Sequence, residues 1–173
     1  MAVIISVDGH TPQIDPTAWL APTATLIGRV RVEANASVYY GTVMRGDIND
    51  IVLGEGSNLQ DNCVVHTEHD GPTVIGKNVG VGHGAIIHCA SVGDGALIGM
   101  GAILLANSVI GEGAFVAAGA LVREGTEIPP HHLAVGVPAK VRGPLDDAAR
   151  ARVAANARDY LAITESNKTG VTL

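Results

Sequence analysis

The chain has 173 residues, of which 47% are hydrophobic and only 3% aromatic, and its formal net charge is −6. That is enough chain for one domain with a real core. The acidic balance, with no basic block, excludes nucleic acid as a natural partner, and no apolar run approaches the ~18 residues of a membrane span.

The first stretch, Met1 to Val7, is apolar but has no basic start and no small-residue cleavage site, so it is not read as a signal peptide. From Leu20 to about Ile128 an aliphatic residue recurs every six positions, and four positions later comes a small or β-branched residue. The early rungs begin at Leu20, Leu26, Val32, Val38 and Met44, then Leu53, Leu59 and Val65. The cleanest run starts at Ile75 and Val81, continues through Ile87, Val92, Ile98 and Leu104, and ends at Ile128. The step from Ile87 to Val92 is one residue short, and an enlarged rung is placed around Asn49–Val52.

A period of six is neither the 3.6 of a helix nor the 2 of a half-buried strand. It predicts a parallel β-helix. Each hexapeptide makes one short strand and one corner, the aliphatic side chain points into a narrow prism, and Gly eases the bends. Three hexapeptides make a coil of about 18 residues, and coils stack ~4.8 Å apart. The expected fold is therefore all-β, with the prism over about residues 12–135 of a single domain spanning 1–173. Ile128-Pro129-Pro130 is expected to stop the repeat, and Gly136–Lys140 to form a turn because Pro138 forbids a regular strand interior. A C-terminal α-helix is expected from Asp146 to about Leu161 or Ala162, capped by Asp146 or Asp147, with Val153, Ala157 and Tyr160/Leu161 as its apolar stripe. The tail Thr164–Leu173 is expected to be mobile.

Counting rungs assigns the polar residues to faces. Val65 and Ile87 are 22 residues apart, one coil plus the four extra residues of the long rung between Val65 and Ile75. His66 and His88 follow them directly and should stack on one outward face about 4.8 Å apart. Arg45 joins the same column. On the preceding face Asp61 and His83 should stack, with Gln60 beside them. His83 is five residues before His88, so a corner separates them and their side chains diverge. One chain cannot bring His83 to the His66–His88 pair, but a second copy can, if the Gln60/Asp61/His83 face of one subunit meets the Arg45/His66/His88 face of the next. That head-to-tail contact should close into a ring, and a three-faced prism favours three copies. Two imidazoles from one chain and one from a partner can hold one Zn²⁺.

The remaining histidines, His10, His69, His131 and His132, are read as solvent-exposed and outside the ligand set. Cys63 fills a small corner position and Cys89 is turned away from the face of His88. Neither lies in a Cys-x-x-Cys pair, so both are read as reduced thiols of a cytoplasmic protein.

Met44-Arg45-Gly46-Asp47, Gln60-Asp61-Asn62, Val65-His66 and His83-Gly84-Ala85-Ile86-Ile87-His88, together with the hexapeptides, closely resemble the gamma-class carbonic anhydrases and their bacterial homologues over nearly the whole chain. The resemblance implies a left-handed β-helix and a homotrimer with metals between subunits. It implies that His66 and His88 are ligands from one subunit and His83 from its neighbour. It further implies that Arg45 pairs with Asp61 across the interface, that Asp47 helps to fix this pair, and that Gln60 hydrogen-bonds a metal-bound hydroxide. The implied reaction is reversible hydration of carbon dioxide to bicarbonate, with Zn²⁺ as the default metal and Fe²⁺ or Co²⁺ suited to the same imidazole set. The sequence departs from that family's pattern at the proton exit. Ile48 stands where an acidic residue is usual, and the loop after His66 offers only Glu68, His69 and Asp70. Tyr160, on the C-terminal helix, is expected to reach a neighbouring site, as a helix tyrosine does in similar bacterial proteins, or simply to pack. The alternatives are a hexapeptide acyltransferase, which needs no three-histidine cluster, a metal-dependent thioesterase, and a non-catalytic trimeric scaffold.

Overall fold

A computed structural model describes residues 1–170 as a parallel β-helix followed by one long helix. The prism has three faces. On the first, seven short strands lie in parallel, from Trp19–Leu20 to His132–Val135. Leu97 pairs with Phe115 and Phe115 with Leu133, a step of 18 residues per coil. Gly80 pairs with Leu97, a step of 17, which is the missing residue between Ile87 and Val92.

The second face carries Thr25–Ile27, Val43–Arg45, Val64–His66, Ile86–His88, Ile103–Leu104 and Leu121–Val122 in register. The third carries Arg31–Val32, Ile51–Leu53, Thr73–Ile75, Ser91–Val92, Val109–Ile110 and Glu127–Ile128. The rung aliphatics Leu26, Met44, Leu59, Val65, Ile87, Ile98 and Leu104 are fully buried along the axis. Each such side chain contributes roughly 1.5–3 kcal/mol by leaving water, and the small residues Ala85, Ala96, Ala102 and Ala114 fill the corners beside them.

Four features depart from the sequence expectation. Val3–Ile5 forms a strand on Thr25–Ile27, so the sheet begins before residue 12. The bulge of the enlarged rung spans residues 47–50, not 49–52, because Gly28 pairs with Gly46 and Val30 with Ile51, leaving Arg29 alone opposite four residues. Ile128-Pro129-Pro130 does not stop the repeat. The prolines fall at a corner, where no strand hydrogen bond needs their missing N–H, and His132–Val135 continues the first face. Lys140–Pro144 then returns antiparallel and covers that edge after the expected turn.

The fourth departure is the helix, which runs Asp147–Lys168 with Asp146 as its N-cap, accepting from the Ala149 N–H. Val153, Ala157 and Thr164 are its buried residues, Tyr160 is half-buried between them, and Leu161 is exposed. Thr164 extends the docked stripe beyond the expected end, since its hydroxyl lies 2.9 Å from the Tyr39 hydroxyl. The expected mobile tail is therefore helical through Lys168, and Val171–Leu173 lie outside the described residues. No described helix is long and apolar enough to cross a membrane.

Candidate metal centre

The column on the second face forms as the rung count requires. Arg45 aligns with His66, and His66 with His88. The two imidazoles face each other, with His66 Nδ1 3.2 Å from His88 Nε2 and ring centroids 5.3 Å apart. Two nitrogens bound to one tetrahedral zinc at ~2.0–2.1 Å stand about 3.4 Å apart, so the observed separation fits two ligands of a single ion. His66 is the more enclosed, its side chain 14% exposed.

Asp47 completes this cluster from the bulge. Its carboxylate takes the Arg45 guanidinium on Oδ2 and lies 3.0 Å from His66 Nε2 on Oδ1. Desolvation pushes the Asp47 carboxyl up, but hydrogen bonds from Arg45 and His66 outweigh it and hold the group below its usual range. Gly46 makes the bulge possible. A Cβ there would lie 2.7 Å from the Arg29 carbonyl oxygen, so only glycine lets the strands close at this point.

One corner away, Asp61 and His83 stack on the first face, with Asp61 Oδ2 2.8 Å from His83 Nδ1. The turn between His83 and His88 is made by Gly84 at φ +69, a left-handed conformation natural to glycine. The Tyr160 hydroxyl lies 3.4 Å from His83 Nε2. Its ring packs edge-on to Tyr39 with centroids 5.4 Å apart, and burial pushes its phenol up to about 12, with nearby Tyr39 and Asp61 adding to the effect. Gln60 is buried, and its amide donates to Asn58 Oδ1 at 3.2 Å.

Among the described residues, no three metal-ligating side chains of one chain converge on a point. The chain brings together Arg45, Asp47, His66 and His88 on one face, and Gln60, Asp61, His83 and Tyr160 on the other. Arg45 meets Asp47 within the chain, while Asp61 is engaged by His83 and by the Tyr40 N–H.

Comparison with known proteins resolves the family. A model for the bacterial transferase hexapeptide (six repeats) matches residues 89–124. Carbonic anhydrase of Geobacillus kaustophilus is 44% identical over 133 residues, covering 77% of this chain and 73% of its own. The chain belongs to the gamma-class carbonic anhydrase family. Mitochondrial gamma carbonic anhydrase 2 of Arabidopsis thaliana is 40% identical over 168 residues, covering 94% of this chain, which spans only 60% of that relative's length. The crystal structure of a hexapeptide transferase family protein from Anaplasma phagocytophilum superposes with a TM-score of 0.92 at 40% identity, covering 95% of this chain and 97% of that one.

Two residues of this gamma-class chain join the site through contacts that the six-residue repeat alone does not reveal. Asn58 shares an outward face with Gln60 because alternate strand residues point the same way, and a buried Asn-x-Gln pair on one face is a signal that was available. Glu68, on the loop after His66, places Oε1 3.6 Å from His88 Nδ1. His10 and His69 are exposed as expected, whereas His131 and His132 are half-buried at the corner after the prolines. Cys89 turns from the His88 face and its thiol contacts the Gly71 carbonyl at 3.3 Å. Cys63 is buried at its corner, which pushes its thiol up to about 11.

Proposed function

We propose that the protein catalyses reversible hydration of carbon dioxide to bicarbonate at metal centres shared between subunits of a homotrimer. The observation that carries this reading is the 3.2 Å approach of His66 Nδ1 to His88 Nε2 on a face where, among the described residues, no third ligand converges. His83 of a neighbouring subunit would supply that ligand. An outward apolar ladder supports such a contact. Val43, Val64, Ile86, Ile103 and Leu121 stack in register beside the histidine column, and Val64 and Ile86 are 42% and 37% exposed.

Zn²⁺ is the default ion for neutral imidazoles, with Fe²⁺ or Co²⁺ suited to the same set. The chemistry such an ion supplies when bound is a water nucleophile available at neutral pH. Gln60 orients that nucleophile. One N–H of its amide donates to Asn58, and its carbonyl oxygen is left to accept a hydrogen bond. Arg45 uses one edge of its guanidinium on Asp47, and the rest of the fork is available to the neighbour's Asp61 carboxylate. Tyr160, held as a neutral phenol beside His83, travels with that histidine to the neighbouring site. Ile48 supplies no carboxylate for proton exit, so Glu68, His69 and Asp70, all exposed, are the groups at hand, and turnover is expected to be modest. Both cysteines are free thiols, which suits a reducing compartment such as the cytoplasm.

Stopped-flow hydration of carbon dioxide with parallel metal analysis tests the reading. It predicts about one zinc per chain and activity lost in His66→Ala and His83→Ala. Metal at full occupancy with no hydration, but with turnover of acyl-CoA thioesters, would favour a thioesterase. Acyl transfer without bound metal would favour the hexapeptide transferases.

A further inference from the structure

His66 is hydrogen-bonded to a carboxylate through one ring nitrogen, and His83 and His88 each have a carboxylate near one ring nitrogen. Asp47 Oδ1 faces Nε2 of His66 at 3.0 Å, Asp61 Oδ2 faces Nδ1 of His83 at 2.8 Å, and Glu68 Oε1 faces Nδ1 of His88 at 3.6 Å. An ionised carboxylate only accepts, so His66 Nε2, the one of these nitrogens that is hydrogen-bonded to its carboxylate, must carry hydrogen. A neutral imidazole has one N–H, and its other nitrogen then bears a lone pair. His66 thus offers Nδ1. That bare Nδ1 faces His88 Nε2 at 3.2 Å. Two lone pairs at that distance repel unless a proton or a cation lies between them.

We propose that Asp47 is a positioning residue that locks His66 in its Nε2–H tautomer, so that His66 binds the metal through Nδ1 and His88 through Nε2. This rests on reading the pair as part of a metal centre. Asp47 suits the task because its second oxygen is held by Arg45. The carboxylate therefore cannot rotate away, and the bulge at residues 47–50 gives it the reach. Arg45 and Asp47 lie two positions apart on the same strand side, which brings both to the aligned His66. Glu68, at a longer distance and half exposed, holds His88 more loosely. In the metal-free protein the tautomer of His88 therefore adjusts to that of His66.

The test is long-range ¹H–¹⁵N correlation of the imidazoles in labelled protein at slightly alkaline pH, without and with zinc. The expected metal-free spectrum shows His66 as the Nε2–H tautomer, and added zinc perturbs Nδ1 of His66 and Nε2 of His88. Asp47→Asn, whose amide can donate as well as accept, should lose the tautomer preference and weaken zinc binding about 10–100-fold, with assembly unchanged by sedimentation and partial rescue by Asp47→Glu. A metal-free His66 in the Nδ1–H form, or zinc bound through its Nε2, overturns the proposal while leaving the metal reading intact. A protein that keeps the Nε2–H tautomer but takes up no zinc refutes the metal reading and leaves the lock standing.

Discussion

His66 and His88 come from adjacent coils, yet their ring nitrogens approach within 3.2 Å. The register alone accounts for this, since His88 pairs directly with His66 in the parallel ladder. Their separation in sequence is large, but their separation in the fold is one strand spacing.

The face beside this pair should be an interface. Ile86 points outward, 37% exposed, between Val64 and Ile103 in the apolar ladder. Ile86→Glu places a charge in the contact while leaving the prism interior untouched. Sedimentation should show monomer in place of trimer, circular dichroism should be unchanged, and zinc uptake should fall. An intact trimer would count against this face as the contact.

The bulge depends on Gly46. A methyl group there meets the Arg29 carbonyl oxygen at 2.7 Å and the Asn49 carbonyl oxygen at 3.1 Å. Gly46→Ala should destabilise the protein by about 1–3 kcal/mol, the usual cost of overpacking, read from urea unfolding. Metal affinity should fall too, because Asp47 follows directly. Unchanged stability would mean that the strands tolerate separation at this point.

Acid should loosen the Arg45–Asp47–His66 cluster. The Asp47 carboxyl lies below its ordinary value of 3.8 in the folded chain. Its contribution to stability is therefore fully present above that ordinary value and lost as pH falls through the lowered one. Asp47→Asn should flatten the acid limb of the stability profile below about pH 4. An acid limb of unchanged slope would contradict this assignment.

Tyr160 gives the opposite sign. Its phenol titrates at about 12 rather than 10, so the neutral form stabilises the fold below pH 10, and that contribution is lost as pH rises through about 12. An ultraviolet titration of the wild type against Tyr160→Phe should show the missing phenolate appearing only near that upper value. A difference spectrum centred at pH 10 would place Tyr160 in open solvent.

The register of the site was legible in the sequence because a strict six-residue period leaves little freedom. Once Val65 and Ile87 occupy equivalent rungs, His66 and His88 must stack, and so must Asp61 and His83. What stayed hidden lies where the period breaks. The Asp47–His66 contact depends on how three extra residues fold at one corner, and the rung count sets that bulge two residues late. The last turns of the helix were missed because Thr164 is polar, and its burial depends on a tyrosine 125 residues earlier in the chain. The strand at Val3–Ile5 lies outside the repeat and is defined only by its partner.

The central claim is that two chains contribute to each metal site, and a subunit-mixing experiment tests it most directly. His66→Ala and His83→Ala proteins, each inactive and depleted of metal, are unfolded together, refolded as an equal mixture and assayed for zinc content and carbon dioxide hydration. In a head-to-tail trimer, about one site in four then receives His66 and His88 from one chain and His83 from its neighbour. Recovery to about a quarter of the wild-type level is the predicted result. A mixture that stays at the level of the separate variants would show that each site is built within a single chain.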